Sequence, residues 1–263
     1  MNIFGVSKAL GLAITLLSFL CPLHATELTA AQVIAQLDSV TTNLSAELTA
    51  RLSTNVVRGS YTTVWRQFED LTIEALKEIL PKHIPDLSAK NFDGGEANQG
   101  REKNRLADFA IVCGTNTIEI SIKAARNSGQ PENDLGTFRD HENRKKLFAA
   151  SFTVWVRYED KAGAMRAERV FFDRTWRFVG KSTLVDGVKY RKKDGNMRPK
   201  SWAMFDAGKA WWESEAEFEA AVKRSETFRA NELVKEHLSD LSEDDQKLLH
   251  ERLHEKFAEP AKP

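Results

Sequence analysis

Residues 104–123 read NRLADFAIVCGTNTIEISIK, and the parsing of this stretch decides the fold. Two short strands, Leu106 to Val112 and Thr117 to Lys123, flank a tight turn at Cys113-Gly114-Thr115-Asn116. In the second strand Ile118, Ile120 and Ile122 alternate with Glu119, Ser121 and Lys123, the period of a strand with one buried and one open face. A purely structural strand would place Thr or Val on its open face rather than an acid, a hydroxyl and a lysine. Asp108 sits early in the partner strand, where antiparallel pairing brings its carboxylate to the same end of the hairpin. An Asp, a Glu and a Lys at one point suit a divalent metal and the water it activates.

The composition frames this hairpin. A chain of 263 residues, 41% hydrophobic and 29% charged, supports one domain with a full core and helical decoration, or a core plus a small appendage. The formal net charge is zero, so global charge names no partner and only local clustering carries information. At the N-terminus, Lys8, an apolar run over residues 9–20 and Cys-Pro-Leu-His-Ala at 21–25 have the pattern of a cleaved signal peptide. The run is short for a membrane span, and Leu20 before Cys21 departs from a lipoprotein box. The expectation is an exported protein, periplasmic or secreted, with no stable membrane insertion after cleavage. With a start codon further downstream it becomes a cytoplasmic protein. After cleavage Cys113 is the remaining cysteine, so no intramolecular disulfide forms.

Along the chain, Val33, Ile34, Leu37, Val40, Leu44, Leu48 and Leu52 predict a helix over 27–53. A second is predicted from Thr62 to Leu80, stopping at Pro81. Residues 83–101 read as loop with one short strand. After the hairpin come a polar loop over 124–137, a short basic helix over 138–148 with Arg139, Arg144, Lys145 and Lys146, and two strands at 151–158 and 168–173 joined through Asp160-Lys161-Ala162-Gly163. Residues 181–200 hold seven Lys or Arg against two Asp, with Tyr190 inside the run and Trp202 just beyond it. Basic residues interleaved with aromatics suit nucleic-acid backbone, while a solvated surface hairpin is the commoner fate of such a run. Residues 231–263 hold nine acids against five bases, which offsets the basic middle. The organisation expected is a signal peptide at 1–25, an N-terminal helix at 26–58, a core domain at 59–206 and a charged helical region at 207–263.

The order helix, hairpin, helix and further strands resembles the core of the PD-(D/E)XK nuclease superfamily, which includes many type II restriction endonucleases. The resemblance spans about residues 60–175. Phe68-Glu69 is similar to the superfamily's helix carboxylate, Asp108 to the acid of the first hairpin strand and Lys123 to the lysine of the second, with 14 residues between the last two. Two positions depart from the pattern: Ala107 stands where a proline is frequent, and Ser121 stands where an acid is expected. Glu119 takes the acid's part by strand geometry, with Glu132 or Glu142 as alternatives from the segment that follows. The resemblance implies an α/β (α+β) restriction-endonuclease-like core with a central mixed sheet flanked by helices, plus extra N- and C-terminal helices. It implies a metal-dependent DNA endonuclease using Mg²⁺ (or Mn²⁺), with Asp108, Glu119, Lys123 and Glu69 as catalytic residues and Asp108 and Glu119 on the metal. DNA contacts would come from Arg126, Asn127, Arg144, Lys145, Lys146, Lys189, Arg191, Lys192 and Lys193. Paired cutting would imply a homodimer.

Two other readings are open. A nuclease-like core with Ser121 in the acid slot suits a catalytically degenerate nucleic-acid-binding or interaction module. His250-Glu251-Arg252-Leu253-His254 fits the H-E-x-x-H zinc motif of a secreted metallopeptidase. However, nine residues follow His254 and position 260 is proline, so the customary third ligand has no source there.

Overall fold

The computed structural model describes residues 29–94, 108–143 and 150–257. A six-stranded mixed sheet in the order β1-β6-β5-β4-β3-β2 is flanked by helices on both faces, an α+β arrangement. Its elements are α1 (Ala30–Ser53), β1 (Val57–Arg58), α2 (Tyr61–His83), a 3₁₀ turn (Ala89–Asn91), β2 (Phe92–Gly94), β3 (Phe109–Cys113), β4 (Asn116–Arg126), α3 (Phe138–Asn143), β5 (Phe152–Lys161), β6 (Ala164–Arg174), the short α4 (Thr175–Phe178), α5 (Trp202–Asp206), α6 (Glu215–Ser239) and α7 (Glu243–Phe257). The predicted signal segment lies outside the described residues. Among the described residues no helix is long and apolar enough to cross a membrane.

The hairpin forms as the alternation requires. β3 and β4 pair antiparallel, with Cys113 opposite Asn116 and Gly114-Thr115 in the turn. Gly114 has φ 59, a left-handed conformation that glycine adopts without a Cβ clash. β4 is longer than predicted and runs through Ala124 and Ala125 to Arg126, because those residues pair in parallel with Val156, Arg157 and Tyr158 of β5. The crossover from β4 to β5 carries α3. Thr137 caps this helix reciprocally: its hydroxyl accepts from the Asp140 N–H at 3.0 Å, and Asp140 Oδ2 accepts from the Thr137 N–H at 3.0 Å. Thr137→Ala should therefore cost about 1 kcal/mol in urea denaturation.

Two hydrophobic clusters sandwich the sheet. On one face α1 and α2 bury Leu37, Leu44, Phe68 and Leu76 against Ile118, Ile120, Ile122, Val154 and Phe172. On the other face Phe138, Trp155, Phe171, Phe178, Trp202, Phe205 and Phe218 pack together. Phe218, Ala221 and Val222 tie the start of α6 into this second cluster, whereas the described residues of α7 are exposed. α2 does not stop at Pro81 but continues to His83, with the Ile84 N–H still donating to the Leu80 carbonyl at 2.8 Å. A proline in the last turn removes one backbone donor and leaves the downstream ones intact.

Because β1 is two residues long, much of the β6 edge lacks a strand neighbour. α1 covers it: the Val170 and Phe172 N–H groups donate to the Thr49 and Ser45 hydroxyls, each at 2.9 Å. Those hydroxyls fill backbone positions that an open edge would offer to another chain. β5 and β6 meet at a two-residue turn in which Ala162 has φ 54 and Gly163 φ 80. A left-handed alanine is strained, so Ala162→Asn is expected to stabilise by about 1 kcal/mol, read as a rise in urea midpoint.

Candidate active site

The register of three strands builds the candidate site. In β4 Glu119, Ser121 and Lys123 are half-buried, while Ile118, Ile120 and Ile122 are buried in the first cluster. Ala110 lies opposite Glu119 and Phe109 opposite Ile120, so the next pair outward is Asp108 and Ser121. Glu119, Ser121 and Lys123 therefore share one face of β4, and Asp108 precedes β3 at the end of the hairpin that holds Ser121. Asp108 lies in a bend just before β3 rather than inside the strand. Its Oδ2 accepts the Ile122 N–H at 2.7 Å, which pins the carboxyl against β4.

On the other side of β4, Thr153 of β5 is in register with Ser121, and Trp155 with Lys123. Thr153, Thr175 and Ser151 form a buried hydroxyl chain with both links at 2.9 Å. Trp155 is fully buried and fixes the strand beside the lysine. Lys123 itself is half-buried, and among the described residues it has neither a hydrogen-bond nor an ion-pair partner.

One carboxylate on this face escapes sequence reading. Asp93 of β2 pairs with Ala110, which pairs with Glu119, so Asp93 and Glu119 flank a small alanine on the same face. Asp93 is exposed. Its strand is three residues long, too short for alternation to mark it.

Glu69 is buried at 5% exposure on α2. Its neighbour Phe68 stacks on Tyr158 with centroids 5.1 Å apart, and Tyr158 is in register with Arg126. α2 thus approaches the sheet from the isoleucine face, opposite Glu119 and Lys123. Glu132 is exposed in the loop after β4, and the side chain of Glu142 lies outside the described residues.

The basic elements are less available than their composition suggests. Arg126 belongs to β4, not to the loop, and pairs with Asp160 at 3.0 Å. Asn127 donates to Glu168 at 3.0 Å. Arg191 is bound by Asp194 and, at 3.1 Å, by Asp134, and its guanidinium holds the Asp194 carboxyl well below the usual carboxylate range. Lys192 pairs with Glu236 of α6, while Arg229 of the same helix donates to the Lys192 carbonyl at 2.8 Å and the Lys193 carbonyl at 3.1 Å. Lys189 and Lys193 are exposed with no ion-pair partner among the described residues. Arg144, Lys145 and Lys146 lie outside the described residues.

Among the described residues no group of three or more His, Cys, Asp or Glu gathers in a metal-holding arrangement. The motif His250-Glu251-x-x-His254 falls on α7, but both histidine side chains lie outside the described residues. The chemistry of the open face is nevertheless that of hard oxygen donors, and Mg²⁺ is commonly held by one or two carboxylates with waters and substrate oxygens completing the shell.

Among solved structures the chain is similar to the NlaIV restriction endonuclease. The likeness has a TM-score of 0.49 at 16% identity and covers 74% of this chain and 78% of that one. No family model and no curated protein matches the sequence.

Proposed function

We propose that the chain is a metal-dependent phosphodiesterase acting on DNA, with its active site on the open face of β3 and β4. The observation that supports this most directly is that Glu119 and Lys123 share one face of β4 while Asp108 accepts the Ile122 N–H of the same strand at 2.7 Å, with Lys123 half-buried and without a described partner. A phosphate bound on this face would be met by the Lys123 ammonium.

Asp108 and Glu119 would hold Mg²⁺ or Mn²⁺. When bound, such an ion lowers the pKa of a coordinated water and neutralises charge on the phosphate. The remaining work falls to the chain. The Ile122 N–H fixes the Asp108 carboxyl against β4, which would limit its reorganisation on binding an ion. Lys123 holds its charge beside the developing negative charge of the scissile phosphate and orients the attacking water. The buried Thr153-Thr175-Ser151 hydroxyls and Trp155 hold β5 rigid behind these groups.

Ser121 in the acid slot favours one rival, a module that binds DNA without cutting it. Plasmid cleavage against electrophoretic mobility shift separates the two, since binding with no metal-dependent nicking selects the rival. Within the enzyme reading, Glu119→Gln should abolish cleavage and Asp93→Asn should leave it within about threefold, as expected for an exposed residue off the reacting groups. The reverse pattern in a nicking assay would move the acid's role to β2.

A further inference from the structure

A cleft of about 770 Å³ opens at the β6 edge, far from the hairpin in the strand order. Thr41, Thr42, Ser45 and Thr49 of α1 form one wall, and Asp173, Arg177 and Lys200 lie on the other. Thr153 is in register with both Ser121 and Asp173, so two strand spacings separate Asp173 from Ser121, roughly 10 Å. A smaller cavity of about 320 Å³ shares Thr41, Asp173 and Arg177 with it and adds Asp38 and Arg174.

Lys200 is the unusual member. It is 6% exposed and stands over the rings of Phe178 and Phe205, at 5.5 and 5.2 Å. An ammonium has three donors. One N–H reaches the Lys209 carbonyl, and among the described residues the other two have no acceptor. A buried donor left unmade is costly, and a charged one more so. Nearby, the Arg177 Nε donates to Asp173 at 2.7 Å, which leaves its terminal nitrogens without a described partner. Asp173 also accepts from the Arg174 N–H at 2.8 Å, so its carboxylate is already engaged. The open donors lining this cleft belong to Lys200, Arg177 and Arg169, whose Nη1 donates to Asp206 at 2.8 Å, while the lining acids Glu168 and Asp206 pair with Arg157 at 3.3 and 2.8 Å. Burial also lowers the Lys200 pKa to about 8, against the pull of Asp173 and with that of Arg177. Burial raises the Asp173 pKa despite Arg177 beside it.

We infer that this cleft binds a small oxyanion, a phosphate-like or carboxylate group that accepts from Lys200 and Arg177, with the α1 hydroxyls at its rim. The aromatic floor and the volume suit a compact organic anion rather than a polymer. The inference is independent of the nuclease reading.

The test is thermal unfolding of the full chain titrated with sodium sulfate and, separately, sodium succinate, at ionic strength held constant with sodium chloride. Sulfate also stabilises proteins generally by exclusion from their surface, an effect that rises without saturating. The expected result is a saturable rise of several degrees with at least one anion, sulfate marking a phosphate-like site and succinate a carboxylate site. Lys200→Met and Arg177→Gln should each remove the saturable part, and Lys123→Met should retain it. Calorimetry at pH 8.5 in two buffers of different ionisation enthalpy provides a second readout: the bound anion raises the Lys200 pKa, so binding takes up protons. Should Lys200→Met fail to fold, Arg177→Gln and the proton uptake carry the test. No saturable shift with either anion overturns the inference. So does a shift that both variants keep, or one lost in Lys123→Met alone, which would place the anion at the hairpin.

Discussion

Lys123→Met is expected to lower Mg²⁺-dependent nicking of plasmid by about 10²- to 10⁴-fold, the range spanned by a positioned proton-transfer or charge-stabilising group. Stability should barely move. Lys123 is half-buried and has no described partner, so methionine keeps the aliphatic stem and strands no carboxylate. A change of no more than about 0.5 kcal/mol is expected in urea denaturation. The combination matters, because a structural lysine would lose stability and activity together. Lys123→Arg should restore little, since a planar fork on a longer stem does not reproduce the reach of an ammonium. Full activity in Lys123→Met would remove the lysine from the site.

The second large effect is on the fold. Trp155 is fully buried and meets Trp202 and Phe205 edge-on, with centroids 6.0 and 5.5 Å away and interplanar angles of 89° and 85°. It sits in register with Lys123 on one side and Phe171 on the other. Trp155→Ala should cost about 3–5 kcal/mol, enough to unfold a marginal domain at 37 °C. Trp155→Phe should cost clearly less, for two reasons. The cavity is smaller, and the indole Nε1–H, buried with no partner among the described residues, disappears with it. Urea midpoints of the two variants give the comparison. Equal losses would mean that the indole N–H has an acceptor, such as a buried water.

Sequence and structure agree where the signal is local. The alternating isoleucines announce β4, and the glycine turn announces its pairing with β3. They part company where pairing over distance decides. Ala124 and Ala125 carry no strand signal of their own and become strand because Val156 and Arg157 lie beside them. Arg126 and Asn127 then pair with Asp160 and Glu168, acids supplied by the β5–β6 hairpin, while remaining exposed. The basic run at 181–200 is neutralised partly from within, by Asp186 on Lys181 and Asp194 on Arg191, and partly by Asp134 and Glu236, which lie 57 and 44 residues from Arg191 and Lys192 and so do not show beside it in the sequence. The buried lysine of the β6-edge cleft and the half-buried Thr41, Ser45 and Thr49 beside it have no motif at all. They become conspicuous through burial, which a linear sequence does not display.

The pH response offers a check on that cleft. Lys200 has a folded-state pKa of about 8, below the usual lysine value of 10.5. Between those values the unfolded chain holds more protons, so stability should rise with pH across that window and this contribution should vanish in Lys200→Met.

The central claim is that Asp108, Glu119 and Lys123 form one hydrolytic site. Supercoiled plasmid incubated with the full chain and Mg²⁺, beside Asp108→Ala and an EDTA control, tests it most directly. The account predicts nicked or linear DNA with wild type and Mg²⁺, and intact plasmid with either the variant or EDTA. Cleavage that persists in Asp108→Ala, or wild type that leaves the plasmid intact with Mg²⁺ and with Mn²⁺, would contradict it.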